Sequence, residues 1–211
     1  MPSEHALAGQ FGVNRHTIRR SLASLCSQGL VPITQGSGTY VEDFAVDLVL
    51  GKRTRHEQGL AQAGLRGSLV VLQAQTTRAT AALAKALQVP ARSPLLALRV
   101  RGDAEGQPLH ISERYFPLPR FENLAAVVRE TGSITAGFTA HGVADYTRRK
   151  SRITAELPSA EVAAQLRQPT SRPVPQVESL NVDLAGTPIE WARAWFAGDR
   201  VKLTIDHNEH A

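Results

Sequence analysis

Hydrophobic residues at helical spacing mark an amphipathic helix near the start of the chain. Ile18, Leu22 and Leu25 follow one another at steps of four and three residues, which places them on one helical face. Asn14 is a good N-cap for this helix, and Gly29 supplies the left-handed residue that ends it. The pattern therefore predicts a helix with one buried stripe.

Two further features flank this helix. Upstream, Ser3 can cap a shorter helix over residues 4–10, and Gly12 can end it. Downstream, the β-like runs 30–34 and 39–41 are joined by a Gln-Gly-Ser-Gly turn. This order predicts a helix-turn-helix followed by a small wing.

The remainder of the chain mixes strand-like and helix-like segments. Charged residues and Gly51 interrupt a weak apolar stretch, so we interpret residues 43–53 as a linker. A helix is expected over 54–63, strands over 69–76, 95–102, 109–116, 145–157, 174–184, 189–197 and 201–206, and further helices over 80–88, 121–130, 133–141 and 160–168. The turns at 103–107 and 185–187 are too short for parallel crossovers, so we predict an α+β domain with an antiparallel sheet.

Composition adds only limits to this picture. The chain has 24 basic and 19 acidic residues, a formal charge of +5, and a pI near 9.9, which favours a polyanionic partner. It has neither an apolar run of about 18 residues nor a basic-then-apolar secretory leader, so we expect a cytoplasmic protein without a membrane partner. Cys26 is the lone cysteine, which excludes an internal disulfide and leaves a packing residue or a redox switch.

The polar face of the second helix has the chemistry that binds DNA. Basic and hydroxyl side chains lie mostly off the apolar stripe, near the helix N-terminus, and the helix contains no acidic residue: Arg15, His16, Thr17, Arg19 and Arg20. Free backbone N–H groups at a helix N-terminus attract phosphate, and arginines can form paired hydrogen bonds with guanine. A solvated basic face on an ordinary amphipathic helix is the alternative.

The combined motif resembles the winged helix-turn-helix of GntR-family bacterial transcription regulators. The similarity comprises Pro2-Ser3-Glu4, Gly12-Val13-Asn14-Arg15-His16-Thr17-Ile18-Arg19-Arg20, Gly29-Leu30-Val31 and Gln35-Gly36-Ser37-Gly38-Thr39-Tyr40-Val41. It implies a DNA-binding domain over 1–42. It also implies that the residues facing bases and phosphates are Asn14, Arg15, His16, Thr17 and Arg19, that His5 lies near the DNA backbone, and that Gln35 and Gly36 carry the wing tip into the minor groove.

One departure from the family pattern concerns the first helix. Family members usually begin with another helix that packs behind these two, whereas this sequence starts inside the motif, so we expect the first helix to be missing. The apolar side chains that would then lose part of their cover are Leu7, Phe11, Ile18, Leu22 and Leu25. A start assigned too late, a shortened form and a natural variant with weak DNA binding are the alternatives.

The second part of the chain resembles the effector-binding domain of the HutC subfamily of GntR regulators, which shares its fold with chorismate lyase. The similarity runs from about Arg53 to the end and rests on Arg99-Val100-Arg101, a Gly-Gln-Pro turn, Glu113-Arg114-Tyr115-Phe116-Pro117, Gly132-Ser133-Ile134-Thr135 and 183–190. Segments 146–155 and 177–183 look most like regulators of phosphonate metabolism. We therefore expect residues 54–211 to form an effector-binding and dimerisation domain.

Candidate effector-binding residues include cations, hydroxyls and carboxylates. Arg99 and Arg101 leave the same face of one strand, where their guanidinium groups could bind a phosphate, phosphonate or carboxylate. Ser133 starts a helix after Gly132 and could help to hold an anion, although an N-cap serine without a ligand is common. The resemblance implies a pocket made of Arg99, Arg101, Glu113, Ser133, Thr135, Arg152 and Glu190.

Some of these residues also have a structural explanation. Arg148, Lys150 and Arg152 are expected to share a strand face, which is either a second part of the anion site or a solvated edge. Glu113 and Glu190 could balance the positive charge of the pocket, bind ligand hydroxyl or amine groups, or form surface ion pairs.

Together these features predict a bacterial transcriptional repressor. We expect a homodimer that binds double-stranded operator DNA and responds to a small anionic effector, without catalysis and without a cofactor or metal. No phosphate-binding loop, nucleophile elbow or zinc-type cluster occurs, and His207 and His210 lie in an expected flexible tail. The alternatives are a chorismate-lyase-like enzyme, for which a winged helix has no use, and a ligand-binding module that has lost DNA binding.

Overall fold

The computed structural model describes residues 3–27, 33–34, 38–39, 46–51 and 67–205. Several sequence predictions lie outside these residues: the wing tip Gln35 and Gly36, the C-cap Gly29, the side chain of Cys26, the helix over 54–63, and His207 and His210.

Two helices joined by a tight turn form the start of the chain, as predicted. Helix α1 spans Glu4–Phe11 and helix α2 spans Arg15–Ser27. The side chains of Ser3 and Asn14 each accept a hydrogen bond from the backbone N–H three positions on, at 3.2 and 2.8 Å. Gly12 ends α1 with a φ of 64°, a conformation that glycine adopts without strain. The short strands β1 (Ile33–Thr34) and β2 (Gly38–Thr39) then pair antiparallel, as expected for a wing.

A small apolar cluster joins the two helices. Ala8 of α1 packs with Ile18 and Leu22 of α2, and Leu7 lies partly buried against them. Phe11 at the end of α1 is 64% exposed. The N-terminal helices therefore share a thin core that consists mainly of small and aliphatic side chains.

A six-stranded antiparallel sheet forms the second part of the protein, which confirms the predicted α+β class. Its strands are β4 (Gly67–Arg78), β5 (Pro94–Ala104), β6 (Gln107–Pro117), β7 (Tyr146–Glu156), β8 (Val174–Asp183) and β9 (Pro188–Phe196), in the spatial order β4-β5-β6-β9-β8-β7. The connecting helices are α3 (Ala81–Leu87), α4 (Leu124–Thr131), α5 (Ile134–Ala140) and α6 (Ala160–Gln165).

The two faces of this sheet are covered by different helices. Leu96, Leu98 and Val100 of β5 pack in one core with α4 and α5, so we call this side the α4–α5 face. Leu95 lies on the other side with the residues of α3, and the α6 residue Val162 packs there against neighbouring strands. We call this second side the α3–α6 face. Because successive strand residues point to opposite sides, neighbouring residues of β5 belong to different faces.

One strand of a parallel pair lies inside the segment that we interpret as a linker. Strand β3 (Val46–Val49) pairs with the last strand, β10 (Val201–Thr204). Val46 and Leu48 alternate with exposed residues and are buried against the sheet domain. The linker segment thus contributes a strand and core residues, and the domain boundaries at 42 and 54 remain a prediction.

Three phenylalanines form the centre of the core on the α4–α5 face. Phe116, Phe121 and Phe138 are fully buried, and their ring centroids lie 5.6 to 5.9 Å apart in tilted or edge-on geometry. Aromatic pairs of this geometry add stabilisation beyond the area that they bury. Phe138 belongs to α5, so this cluster fixes α5 on the sheet.

Replacing Phe138 by alanine should therefore destabilise the sheet domain strongly. We expect a loss of about 3–5 kcal/mol in the free energy of unfolding, because the change leaves a cavity among the other rings. Urea denaturation followed by circular dichroism measures it. Leu184→Ala is the matched control, since Leu184 is 74% exposed and its truncation should change stability little. Equal losses in the two variants would contradict the proposed role of the aromatic cluster.

Candidate DNA-binding helix and effector site

The N-terminal half of α2 presents an open basic surface. Arg15, His16 and Arg19 line a shallow concavity, and the two arginine side chains are 62% and 63% exposed. Asn14 and Thr17 bind each other instead: Asn14 Oδ1 accepts hydrogen bonds from the Thr17 backbone N–H and from its hydroxyl, at 2.8 and 3.0 Å. The structure thus brings the predicted DNA-binding residues of α2 together at one helix end, with Asn14 as the cap.

An acidic residue from α1 binds this basic surface, and the sequence analysis did not identify it. Glu4 Oε1 accepts a hydrogen bond from Arg19 Nε at 3.3 Å, and Glu4 Oε2 accepts one from Arg19 Nη2 at 3.0 Å. Arg15 Nη2 lies 3.8 Å from the same Oε2. The hydrogen bond from Arg19 lowers the pKa of Glu4 below its ordinary value. Considering α2 alone could not reveal this partner, because Glu4 lies on another helix.

The seven predicted effector-binding residues do not share one face of the sheet. Arg99 and Arg101 lie on the α3–α6 face, where acidic and amide side chains bind them. Arg99 Nη1 forms an ion pair with Glu161 of α6. Arg101 binds both carboxylate oxygens of Asp103 at 2.8 and 2.9 Å, and its Nη1 donates to Gln165 Oε1 at 3.3 Å. Both guanidinium groups therefore have acidic partners within the protein, although Arg99 Nε is buried without a hydrogen-bond partner among the described residues.

Alternating charges cross five strands on the α3–α6 face. Strand register aligns them in one row: Arg99, Glu113, Arg193, Glu178 and Arg152. Arg193 Nη2 lies 2.8 Å from Glu178 Oε1, and Arg152 Nη1 lies 3.8 Å from Glu178 Oε2. Because acids and bases alternate, the row compensates most of its own charge. Glu113 and Arg152 thus lie in this row, and Arg152 is exposed on edge strand β7.

The expectation that Arg148, Lys150 and Arg152 share one strand face is wrong. The pairing of β7 with β8 shifts between Arg148 and Lys150, where a bulge inserts one extra residue. An extra residue reverses the alternation, so Arg148 points to the α4–α5 face while Lys150 and Arg152 are exposed on the other side. Arg148 therefore belongs to a different environment from its neighbours in sequence.

A buried polar cluster lies on the α4–α5 face. Arg114 Nη1 donates to Glu190 Oε1 at 2.6 Å, and Arg114 Nε donates to Ser112 Oγ at 3.1 Å. Asn181 Nδ2 donates to the other oxygen of Glu190 at 2.5 Å. Glu190 is 1% exposed and Asn181 is 5% exposed, so this network is shielded from solvent. Both oxygens of the only carboxylate in this network are thus bound by protein donors.

The start of α5 lies on the same face as this cluster. Ser133 Oγ accepts a hydrogen bond from the backbone N–H of Ala136 at 3.1 Å, so the serine acts as the N-cap of α5. The hydroxyls of Thr135 and Tyr146 are 3.0 Å apart, and the ring of Tyr146 packs edge-on against Phe138. Ser133, Thr135 and Glu190 are therefore the predicted effector residues that the structure brings to one face.

Arg148 adds a second cation to this face. It pairs in register with Asn181, and its Nε is buried without a hydrogen-bond partner among the described residues. Burial lowers the pKa of Arg148 below its ordinary value, Glu190 opposes this effect, and the like charge of Arg114 adds to it. Arg114 thus binds Glu190 directly, whereas Arg148 forms no hydrogen bond or ion pair with Glu190. We call Arg114, Arg148, Asn181 and Glu190 the buried polar cluster.

The cluster residues Arg114, Arg148 and Asn181 were not predicted as site residues. The bulge between Gly102 and Asp103 hides Arg114, because uninterrupted pairing from the turn would place Glu113, and not Arg114, opposite Leu98. The bulge in β7 hides Arg148, since simple alternation along that strand assigns it to the wrong side of the sheet. No signal in the sequence indicates that Asn181 lies beside Glu190.

Removing the charge of Arg148 and removing the charge of Glu190 should affect the stability of the protein differently. Arg148→Met should leave stability unchanged or raise it, because an apolar side chain replaces a buried cation that lacks its own counter-ion. Glu190→Gln should lower stability by about 3 kcal/mol, because it leaves the partly buried Arg114 without its carboxylate partner. Urea denaturation measures both variants. Similar destabilisation by the two substitutions would show that Arg148 is as well paired as Arg114.

Neither a metal site nor a membrane-spanning helix is found in the described residues. No group of three or more His, Cys, Asp and Glu side chains in the described part of the chain could hold a metal ion. In the same residues, no helix has the length and apolar character needed to cross a membrane.

The fold and these surfaces define a DNA-binding transcriptional regulator: a helix-turn-helix with an exposed basic helix precedes an antiparallel-sheet domain. Comparisons with known proteins agree. The profile of the gntR family of bacterial regulatory proteins matches residues 1–41, and that of the UTRA domain matches residues 62–202. The chain belongs to the GntR family and carries a UTRA domain, which confirms the family predicted from its sequence.

Individual relatives support the same assignment over nearly the whole chain. An uncharacterized HTH-type transcriptional regulator, RB1450 of Rhizobium meliloti (strain 1021), is 39% identical over 98% of this chain and 85% of its own length. The HTH-type transcriptional repressor PhnF of Mycolicibacterium smegmatis (strain ATCC 700084 / mc(2)155) is 29% identical over 96% of this chain and 82% of its own length. The crystal structure of PhnF from Mycobacterium smegmatis matches with a TM-score of 0.73 at 25% identity, covering 100% of this chain and 92% of that one.

Proposed function

We propose that this protein is a cytoplasmic repressor that binds operator DNA as a homodimer. Its affinity for DNA changes when it binds a small anionic metabolite. Membership of the GntR family supports the DNA-binding part. The partly buried cation of Arg148, whose Nε is buried without a hydrogen-bond partner among the described residues, supports the anionic effector. The protein acts by binding, without catalysis and without a cofactor.

The exposed N-terminal half of α2 supports the DNA-binding proposal. Arg15 and Arg19 have the reach and charge to bind guanine edges, and His16 and Thr17 can bind neighbouring phosphates or bases. His5 on α1 would lie near the DNA backbone, while Gln35 and Gly36 would enter the minor groove. One short recognition helix makes few base contacts, so a homodimer that reads two half-sites is the usual solution.

Substitution of the recognition arginines should weaken operator binding. We expect Arg15→Ala or Arg19→Ala to lower the affinity for the cognate site by about ten- to a hundredfold, if each guanidinium binds a guanine. The site is obtained by selection from random double-stranded DNA and should contain two symmetric half-sites. Gel-shift titration of the selected DNA gives the affinity.

Arg129→Ala is the control for these variants. Arg129 is an exposed arginine on α4 of the sheet domain, so its removal changes the net charge equally without touching α2. If the three variants lose equal affinity, net charge alone governs binding and α2 is not the recognition helix. A selected sequence without repeated half-sites would contradict the homodimer.

The effector site that we propose lies on the α4–α5 face. Arg114 and Asn181 already bind the two oxygens of Glu190. An anion bound near Arg148 would therefore supply the negative charge that Arg148 lacks. Ser133 and Thr135 at the start of α5 would bind the same ligand through their hydroxyls. Segments 146–155 and 177–183, which resemble phosphonate-metabolism regulators, contribute Arg148 and Asn181. We therefore expect a phosphonate or a phosphorylated metabolite.

The residues on the α3–α6 face form the competing hypothesis. Arg99, Arg101, Glu113 and Arg152 were also expected in the pocket, and an anion could displace Glu161 from Arg99. Such a ligand would have to replace ion pairs that exist within the protein, whereas a ligand at Arg148 would add one. Electrostatic balance therefore favours the α4–α5 face.

Calorimetric titration separates the two faces. The screen contains phosphonates, phosphate esters, carboxylates and uncharged sugars, and the best anion is then tested on two variants. Arg148→Met should weaken its binding by about ten- to a hundredfold, which is the effect of losing one charge-assisted hydrogen bond. Arg99→Met should leave the affinity within about twofold.

The opposite pattern, in which Arg99→Met abolishes binding and Arg148→Met does not, would indicate that the effector site lies on the α3–α6 face. Tighter binding of an uncharged compound than of any anion would refute the proposed ligand class. The bound ligand changes DNA affinity only through its differential affinity for the two states of the protein. Operator titrations with and without the ligand therefore decide whether it releases or strengthens the complex.

A further inference from the structure

The carboxylate of Glu4 holds Arg19 by the side of its guanidinium group. The Nε and Nη2 atoms of Arg19 lie 3.3 and 3.0 Å from the two oxygens of Glu4, so each oxygen accepts one hydrogen bond. This two-point contact fixes the plane of the guanidinium group, because a planar fork bound at two atoms cannot rotate freely. A single ion pair would leave that rotation open.

The backbone around Glu4 fixes the position of the carboxylate. Glu4 is the first residue of α1, directly after the N-cap Ser3. A carboxylate in the first turn of a helix also interacts favourably with the positive end of the helix dipole. Glu4 is therefore well placed to act as a fixed support for a side chain on α2.

The side-on contact leaves the outer end of Arg19 available. Arginine has five N–H donors, and Glu4 occupies one on Nε and one on Nη2. The two N–H groups of Nη1 and the second one of Nη2 remain, and they form the end-on fork that fits two acceptors of a guanine edge. One guanidinium group can thus bind Glu4 and a base at the same time.

We propose that Glu4 is a positioning residue for DNA sequence recognition: it orients Arg19 for a base contact and thereby raises specificity rather than general affinity. The proposal rests on the DNA-binding role of α2 given above. Glu4 itself contributes negative charge beside a polyanion, so its presence lowers the attraction of this surface for any DNA. Positioning and simple charge therefore predict opposite effects when the carboxylate is removed.

The test compares Glu4→Gln with the unsubstituted protein on selected operator DNA and on random duplex DNA at equal salt. Affinity for the operator should fall by about tenfold, the size of one base contact, while affinity for random DNA should rise slightly. Each base pair of a half-site is then changed in turn. Glu4→Gln should relax the preference at the same base pair that Arg19→Lys relaxes, and at no other.

A double-mutant cycle tests whether Glu4 acts through Arg19. In an Arg19→Lys background, Glu4→Gln should cause no further loss of discrimination, because lysine cannot form the two-point fork. Glu130→Gln is the charge-matched control, since Glu130 is an exposed residue on α4, and it should leave both affinities unchanged. Thermal unfolding of every variant separates a loss of recognition from a loss of folding.

Two results would overturn the proposal. If Glu4→Gln tightens binding to operator and random DNA alike, Glu4 only competes with DNA for Arg19. If Glu4→Gln weakens discrimination equally at all base pairs, it acts on the fold and not on Arg19. A protein that selects no DNA sequence at all would instead refute the DNA-binding role of α2, so the two failures are distinguishable.

Discussion

The alternation of side chains along β5 and β6 is the constraint on which the sheet domain depends. The turn between these strands and the bulge between Gly102 and Asp103 together set a register in which Leu98 faces Arg114 on one side and Arg99 faces Glu113 on the other. One side then receives the apolar residues that pack against α4 and α5. A shift of one residue would bury Arg99 and expose the core, so register and core formation specify each other.

Charge compensation differs between the surfaces of this protein. On the α3–α6 face, acids alternate with bases across the strands, so that Arg193 has Glu178 as a close partner. On the α4–α5 face, Arg114 binds Glu190, but Arg148 has no carboxylate partner among the described residues, and partial burial makes the imbalance costly. The basic helix α2 lies between these cases, because Glu4 offsets part of its positive charge. Uncompensated positive charge, more than the number of arginines, therefore indicates where an anion would bind.

Local sequence rules were sufficient for most of the secondary structure. Ser3, Thr80 and Ser159 cap helices where such residues are expected, and the strands begin and end within a few residues of their predicted positions. It was harder to predict from the sequence which side chains lie together on one face of the sheet. The bulge beside Arg148 reverses the direction of every later residue in β7, and nothing in the local sequence indicates it. Contacts between separate elements, such as that of Glu4 with Arg19, can be identified only in the folded structure.

The parallel pairing of β3 with β10 brings together two segments that are far apart in sequence. Strand β10 follows β9, the strand that carries Glu190, after a short turn, and Arg200 in that turn binds backbone carbonyls of Pro108 and Leu166. Strand β3 lies in the stretch leading from the helix-turn-helix to the sheet. Backbone hydrogen bonds thus join the segment that follows the helix-turn-helix in sequence to the strand that comes directly after β9.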